Sequence, residues 1–322
     1  MTNPAKFLGA IAILIAAATA QAGTVKMRVP IYGVPAPQQH ALTQTFTFDP
    51  SNGADIPTQN GVTSYTPYAN QAPTWARKAI VTVVGAGGAS GCGAGGSGMK
   101  LQAEIDAPFG GSTVAVNVGE GGQPMGWNQG IGIIAFFEPT GATGGAYTSV
   151  TLGAYTMTAG AGGAAGLYFS SCATQSDGGN GGYPNGLGGA FGDANSANPG
   201  TGASQTTPGS GGAGSSCNGN TAGLSGSGHF GGQAAPTMQS GITHPGVYGG
   251  GGGDGYYGGG SGAPGDHNGG NCDQTGAGGG GSSFASSGVK ALSATLAGNG
   301  APATAGTGQN GGNGSVTITW EP

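Results

Sequence analysis

The stretch that most limits what this chain can fold into is Gly246–Phe284, which reads GVYGGGGGDGYYGGGSGAPGDHNGGNCDQTGAGGGGSSF. Nearly everything between its glycines is aromatic, small and polar, or one of Asp266, His267 and Cys272. It has neither a helical period nor strict alternation, so neither a helix nor an ordinary strand accounts for it. Glycine costs roughly 0.5–1 kcal/mol more than alanine to order, so a fold built on it must gain from the missing side chains. The available gain is close approach of main chains. Polyproline II segments turn once every three residues and make no internal hydrogen bonds. Stripped of side chains, they are able to lie side by side through N–H···O=C and Cα–H···O=C contacts, the latter worth about 0.5–1 kcal/mol each. The unbroken run Gly249–Gly253 departs from the strict triplet of collagen. The expectation is a lattice of short polyproline II segments.

Of the 322 residues, 77 are glycine and 19 proline, a balance also found in low-complexity disorder. Disordered chains usually carry high charge and few aromatics. With 6 % charged and 7 % aromatic residues, this composition favours order. No Lys or Arg lies between Lys100 and Lys290, whereas Glu104, Asp106, Glu120, Glu138, Asp177, Asp193, Asp254, Asp266 and Asp273 do. A surface that neutralises phosphates needs the opposite balance, which argues against nucleic acid and anionic membrane as partners.

Residues 1–22 read as a signal peptide, with Lys6 before the apolar run Phe7–Ala20 and an A-x-A site at Ala20-Gln21-Ala22. The mature chain is expected to start at Gly23 and to be secreted or held at the cell surface without membrane insertion. Residues 23–41 form an extended N-terminal segment. Within it Gly23–Pro37 is either a linker or a strand that docks on a larger surface assembly. Strand patterns follow at Leu42–Phe48, Ala79–Val84, Gly111–Gly119, Ala146–Thr158 (two strands turning at Gly153) and Gly314–Trp320. Asp49–Trp75 reads as a loop, and Ser287–Ala297 as either helix or strand. The fold class is therefore mainly β, a small antiparallel β-sandwich with an inserted glycine-rich polyproline II lattice. In the domain 42–322, sandwich strands occupy about 42–158 and 314–320, and the lattice about 160–285.

The succession VTVVGAGG (Val81–Gly88), GSTVAVNVGEGG (Gly111–Gly122), GGAYTSVTLGAYTMTAGAGG (Gly144–Gly163), GGGGGDGYYGGGSG (Gly249–Gly262), GAGGGGSSF (Gly276–Phe284) and GGNGSVTITW (Gly311–Trp320) carries a resemblance. It resembles the glycine-rich extracellular region of the anaplastic lymphoma kinase and leukocyte tyrosine kinase receptors, a pattern shared by bacterial secreted glycine-rich proteins. The resemblance implies a tumour-necrosis-factor-like sandwich carrying a polyproline II bundle over about residues 42–322. A looser likeness is to the glycine-rich tips of phage tail-fibre adhesins, which implies loops presented for recognition. Receptor signalling does not carry over, because no kinase segment is present.

Cys92, Cys172, Cys217 and Cys272 suggest two disulfides in an exported chain, with three pairings open. Cys172–Cys217, flanking a glycine-rich loop, is the favoured pair, which leaves Cys92–Cys272. No C-x-x-C is present, and no metal site is expected. Gly85-Ala86-Gly87-Gly88 follows a strand as a dinucleotide-binding turn does, but Ser90 stands where the third glycine belongs and more glycines follow. Gly249–Asp254 matches a single unit of a calcium β-roll, which works only as a stacked repeat. The histidines are His40, His229, His244 and His267, and no nucleophile elbow or H-E-x-x-H accompanies them. Neither an enzyme nor a cofactor is expected.

The expected function is binding or adhesion, with a cell-surface protein or glycan as partner. Candidate ligand-binding residues are Tyr256, Tyr257, Asp254, Asp266, His267 and His244, because binding residues collect in loops and tyrosine gives stiff contact area with a hydroxyl. The loops expected to carry recognition are Tyr168–Tyr183, Gly226–Val247 and Asp254–Cys272. The other tyrosines and phenylalanines among the glycines are expected to cap the lattice. The alternative is a structural coat, matrix or ice-facing protein that uses the flat glycine lattice itself.

Overall fold

The computed structural model describes residues 40–52, 54–58, 61–91, 93–124, 142–166, 176–191, 197–214, 221–234, 248–265, 275–303 and 308–322. The expected signal peptide, residues 23–39, all four cysteines, His244, Asp266 and His267 lie outside them. The described residues belong to the compact unit Gln39–Pro322.

Valine-rich alternation builds the base. One sheet has the order β1 (Leu42–Thr47), β11 (Ser315–Glu321), β4 (Lys78–Val84), β5 (Met99–Asp106), β10 (Lys290–Leu296). The other runs β2 (Ala54–Thr58), β3 (Gly61–Gln71), β6 (Thr113–Gly119), β7 (Thr148–Leu152), β8 (Tyr155–Ala159), β9 (Phe284–Ala285). All these pairings are antiparallel. Alternate residues of each sheet face the other: Val81, Val83, Leu101, Ile105, Ile318 and Trp320 meet Val114, Val116, Val118, Val150, Leu152 and Met157 in one buried cluster. The expected β-sandwich is present.

The expectation of a loop over Asp49–Trp75 is corrected, since β2 and β3 lie there. Pro57 and Pro67 hid them. Pro67 is tolerated because β2 pairs with β3 only as far as Tyr65, so beyond it β3 bonds β6 alone and a missing N–H faces no partner. Ser287–Ala297 resolves as a strand, β10. Met99–Asp106, unassigned from sequence, is β5.

Where the valines give way to glycines, the sheets merge. Facing sheets stand about 10 Å apart because side chains fill the gap. Past Val84 the side chains are gone, and the Ala86 N–H donates to Ala146 O while Gly162 N–H donates to Ala86 O. These bonds join the continuation of β4 directly to the continuations of β7 and β8 in the opposite sheet. Bonding within each sheet becomes bonding between them.

From there the main chain forms a lattice that is neither helix nor ladder. Segment 160–166 shows its rule. Ala161 and Ala164 donate to Asp254 and Gly251, Gly162 and Ala165 to Ala86 and Ala89, Gly163 and Gly166 to Gly179 and Ser176. Its carbonyls accept from Met99 and Gly96, from Gly281 and Gly278, and from Gly145. Every third residue thus addresses the same neighbour, three residues further along it, and the segment bonds six neighbours with none of its bonds internal. Segments 85–90, 258–263 and 276–282 are surrounded in the same way.

The resulting rows are read from those bonds. An upper row runs 297–301, 93–98, 176–182, 186–190, and a middle row 308–314, 85–90, 160–166, 276–282, 198–203. A lower row runs 120–123, 142–146, 249–255, 258–263, 208–212, with 229–232 and 223–226 beneath its far end. Glycine-rich chain outside 160–285 therefore belongs to the lattice as well. Two glycines show why no other residue serves: a Cβ on Gly278 would lie within the contact radius of Gly251 O, and one on Gly162 within that of Gly96 O. Alanine occurs where a methyl fits, as in the buried cluster Ala89, Ala142 and Ala164.

Candidate functional site

Segment 249–255 has no sandwich strand continuing it, so its end abuts the outer face of the β3–β6–β7–β8–β9 sheet. Here Asp254 reaches back to the sandwich. Its Oδ2 accepts the Tyr65 hydroxyl of β3 at 2.8 Å, and its Oδ1 accepts the Gly231 N–H at 2.7 Å. Asp254 is 5 % exposed and Tyr65 1 %. Asp254, expected among the ligand-binding residues, is thus placed as an internal clamp between sheet and lattice. Burial first, then the Asp254 charge, pushes the Tyr65 phenol well above its ordinary value. The Tyr147 phenol is raised by the same two causes in the same order. Both hydroxyls keep their protons at neutral pH, and that of Tyr65 donates to Asp254.

From this clamp a row of rings runs outward. Tyr65 meets Tyr147 at 4.9 Å between centroids, Tyr147 meets His229 at 5.6 Å, and His229 meets Tyr256 edge-on at 5.9 Å. Tyr256 stacks on Phe284 of β9 at 4.4 Å with 16° between planes, and Tyr257 stands edge-on to Tyr256 at 5.3 Å. These offset and edge contacts suit the aromatic quadrupole and stiffen the row. His229 is exposed, and its Nδ1 lies 3.1 Å from Gly255 O. A carbonyl only accepts, so Nδ1 is the donor in this contact. Tyr256 and Tyr257 are half-buried; Tyr256 N–H donates to Ser282 O, and Tyr257 N–H to Ser282 Oγ at 3.0 Å.

Beside the rings lies the outward face of the sheet. The register sets Asn117, Ser149, Thr158 and Phe284 in one cross-strand row, and Ala115, Thr151 and Thr156 in the next. Asn117, Ser149, Thr151 and Thr156 are half-buried, so their amide and hydroxyls border solvent. The result is an aromatic shelf above a neutral floor of hydroxyl and amide groups.

The structure brings Tyr256, Tyr257 and Asp254 together. Tyr248 and Gly265, the described residues nearest in sequence to His244 and to Asp266 and His267, sit at the opposite ends of their segments. Sequence reasoning missed His229, Tyr147 and Tyr65. His229 does lie in the expected recognition loop Gly226–Val247, and Tyr147 left a trace as an aromatic standing one place before the inward-facing Thr148 at the start of β7. Tyr248 is buried as a lattice cap, whereas Phe191 and Tyr183 are exposed.

The two nucleotide- and metal-like motifs are absorbed by the fold. Gly85–Gly88 leads into the lattice rather than into a helix, and Asp254 is held by Tyr65 and Gly231. Among the described residues no group of three or more His, Cys, Asp or Glu side chains converges, and no helix is long and apolar enough to cross a membrane. Neither a scan against protein-family models nor a search of curated proteins finds a match to this chain.

Proposed function

We propose that the chain is an exported, non-enzymatic adhesion protein whose aromatic shelf binds a neutral surface glycan. The observation that carries this reading is the row Tyr147, His229, Tyr256 and Tyr257 bordering a hydroxyl- and amide-bearing sheet face. Sugar rings present C–H faces that stack on aromatic planes and hydroxyl rims that pair with neutral polar groups. Among the described residues no Lys or Arg belongs to the shelf, so it suits a neutral ligand better than an anionic one. The lattice segments, taken as polyproline II on the strength of their three-residue bonding period, serve as a frame. A frame bonded in six directions keeps Tyr256 and Tyr257 in place before the ligand arrives, which lowers the ordering cost of binding.

The test is binding of the full chain to a glycan array, followed by titration calorimetry on the best hit. Tyr256→Ala and His229→Ala should each weaken binding about tenfold or more, the loss of a central aromatic anchor at an interface. Saturable binding left unchanged by both substitutions would remove the shelf from the site. An array with no saturable hit would remove the glycan.

A further inference from the structure

Among the described residues the outermost strands of the two sheets are β1 and β10 in one and β2 and β9 in the other. An outer strand displays unpaired N–H and C=O groups, and soluble proteins blunt it by shortness, proline, bulges or lysine. Three of these strands carry such devices. β9 is only two residues long. β2 contains Pro57. β10 has a register break between Lys290 and Ser293, with Ala291 at φ 48°, and Lys290 at its start. β1 has none of them, and among its main-chain groups Thr47 O accepts the Tyr68 hydroxyl while keeping a second lone pair. Its sequence LTQTFT is rich in β-branched and aromatic residues, holds no charge, proline or glycine, and keeps regular register with β11 throughout Leu42–Thr47.

We propose that β1 is a self-association edge: two copies pair β1 against β1, antiparallel about a two-fold axis, and join their five-stranded sheets into one. Residues directly opposite in an antiparallel pair lie on the same face, so a two-fold pairing must set outward residues against outward ones. An axis through Thr45 does this. It places Thr45 against Thr45 of the second copy, Thr43 against Thr47, and Gln44 against Phe46. The outward threonines already form cross-strand pairs, with Thr43 Oγ1 3.1 Å from Thr319 Oγ1 and Thr45 Oγ1 3.5 Å from Thr317 Oγ1. The new pair extends that hydroxyl row without interruption, and Thr–Thr cross-strand pairs are favourable. On the inner face, Leu42, 42 % exposed for an apolar side chain, comes opposite Phe48 of the second copy.

The other occupant within the chain is the alternating run Thr24–Val29. It brings Lys26 and Arg28 to an edge that offers no carboxylate in Leu42–Thr47, so charge favours a second β1. One strand pair is a small interface, below the roughly 1,200 Å² of stable complexes, so the dimer should be weak. It would double the shelves per particle and raise avidity on a repetitive glycan.

Sedimentation equilibrium of the full chain from about 1 to about 500 μM should show a reversible monomer–dimer equilibrium, as a contact of this size predicts. Thr45→Lys and Thr45→Glu each set like charges face to face and should raise the dissociation constant at least about tenfold. Mixing the two variants should restore a heterodimer. Gln102→Lys, on the same outward face but on the inner strand β5, should leave association unchanged. Far-UV circular dichroism melts matching the unsubstituted chain show that the variants are folded. The proposal is overturned if the chain stays monomeric throughout, if Thr45→Lys associates normally, or if the mixture fails to pair. A chain that dimerises only after residues 23–37 are deleted would put that segment on the edge instead, and would overturn the proposal equally.

Discussion

The sandwich and the lattice are one continuous chain construction held together by opposite means. In the sandwich, direction is set by side chains: Val81 and Val83 face in, Thr82 faces out, and the main chain bonds only within its own sheet. In the lattice glycine predominates and the main chain bonds in six directions. The first region gains stability from apolar area removed from water, about 25 cal/mol per Å². The second gains it from many lateral hydrogen bonds worth about 0.5–1.5 kcal/mol each net, plus close main-chain contact. The ordinary rules of substitution should therefore reverse at the boundary near Val84–Gly85. A core position in the sandwich suffers from losing atoms, and a lattice position suffers from gaining one.

The largest expected effect tests that reversal. Gly278→Ala adds a methyl where Gly251 O already stands, on a main chain that is itself bonded on all sides. Overpacking of a rigid site costs about 1–3 kcal/mol or more, and here no side chain is present to yield. Loss of more than about 3 kcal/mol is expected in urea melts. Gly188→Ala is the matched control. Its added methyl would meet Gly200 O at 3.5 Å, an ordinary contact, and its φ lies outside the left-handed range. It should change stability by less than about 0.5 kcal/mol, as an unstrained surface substitution does. Equal tolerance at the two sites would dissolve the distinction between the regions.

The junction supplies the next test, because Tyr65 belongs to the sandwich and Asp254 to the lattice. Tyr65→Phe takes a hydroxyl donor from a buried carboxylate oxygen and should cost about 1–3 kcal/mol near neutral pH. Its pH dependence has a definite sign. The unfolded phenol titrates near 10 and the folded one well above, so between those values the folded state holds more protons than the unfolded. Stability is then full below pH 10 and falls as pH rises beyond it. Thermal melts from pH 8 upward should fall less steeply for Tyr65→Phe than for the unsubstituted chain. Parallel curves would mean that the clamp does not tie the regions together.

This contrast also explains what was legible in the sequence. Strands with alternating valine, such as Thr113–Gly119 and Ser315–Glu321, announce both their type and their inward face. β3 does not, since Pro67 and small polar residues blur its period and Tyr65 is buried by the lattice rather than by the opposite sheet. The presence of close-packed main chain was readable from glycine density. Its register was not, because a glycine has no side chain to indicate a neighbour. That segment 160–166 bonds 249–255 rather than another run depends on where turns such as Ser227–Phe230 reverse the chain. The shelf was half legible for the same reason. Tyr256 and Tyr257 stand out among glycines, while His229, Tyr147 and Tyr65 reach them only through that register.

The smallest effect concerns how the lattice ends. On the upper row, an outer row of the lattice, N–H groups that would bond a further segment are met by side chains instead: Ala94 N–H donates to Asp177 Oδ1 and Ser97 N–H to Asn180 Oδ1, again three residues apart on both sides. Gly98 and Gly121 are served likewise by Asn299 and Asn313. Short Asx side chains suit this task because they place a carbonyl or carboxylate oxygen near where a neighbouring main-chain oxygen would stand. Asn180→Ala leaves the half-buried Ser97 N–H to water and should cost about 0.5–1.5 kcal/mol, the net worth of one hydrogen bond. Asn180→Asp keeps the acceptor, as Asp177 already does, and should cost less. Native-state hydrogen exchange at Ser97 reads the change locally: protection should fall in the alanine variant and persist in the aspartate one. Unaltered protection in both would show that outer-row N–H groups need no cap, and that the lattice, unlike a sheet, leaves its border open at little cost.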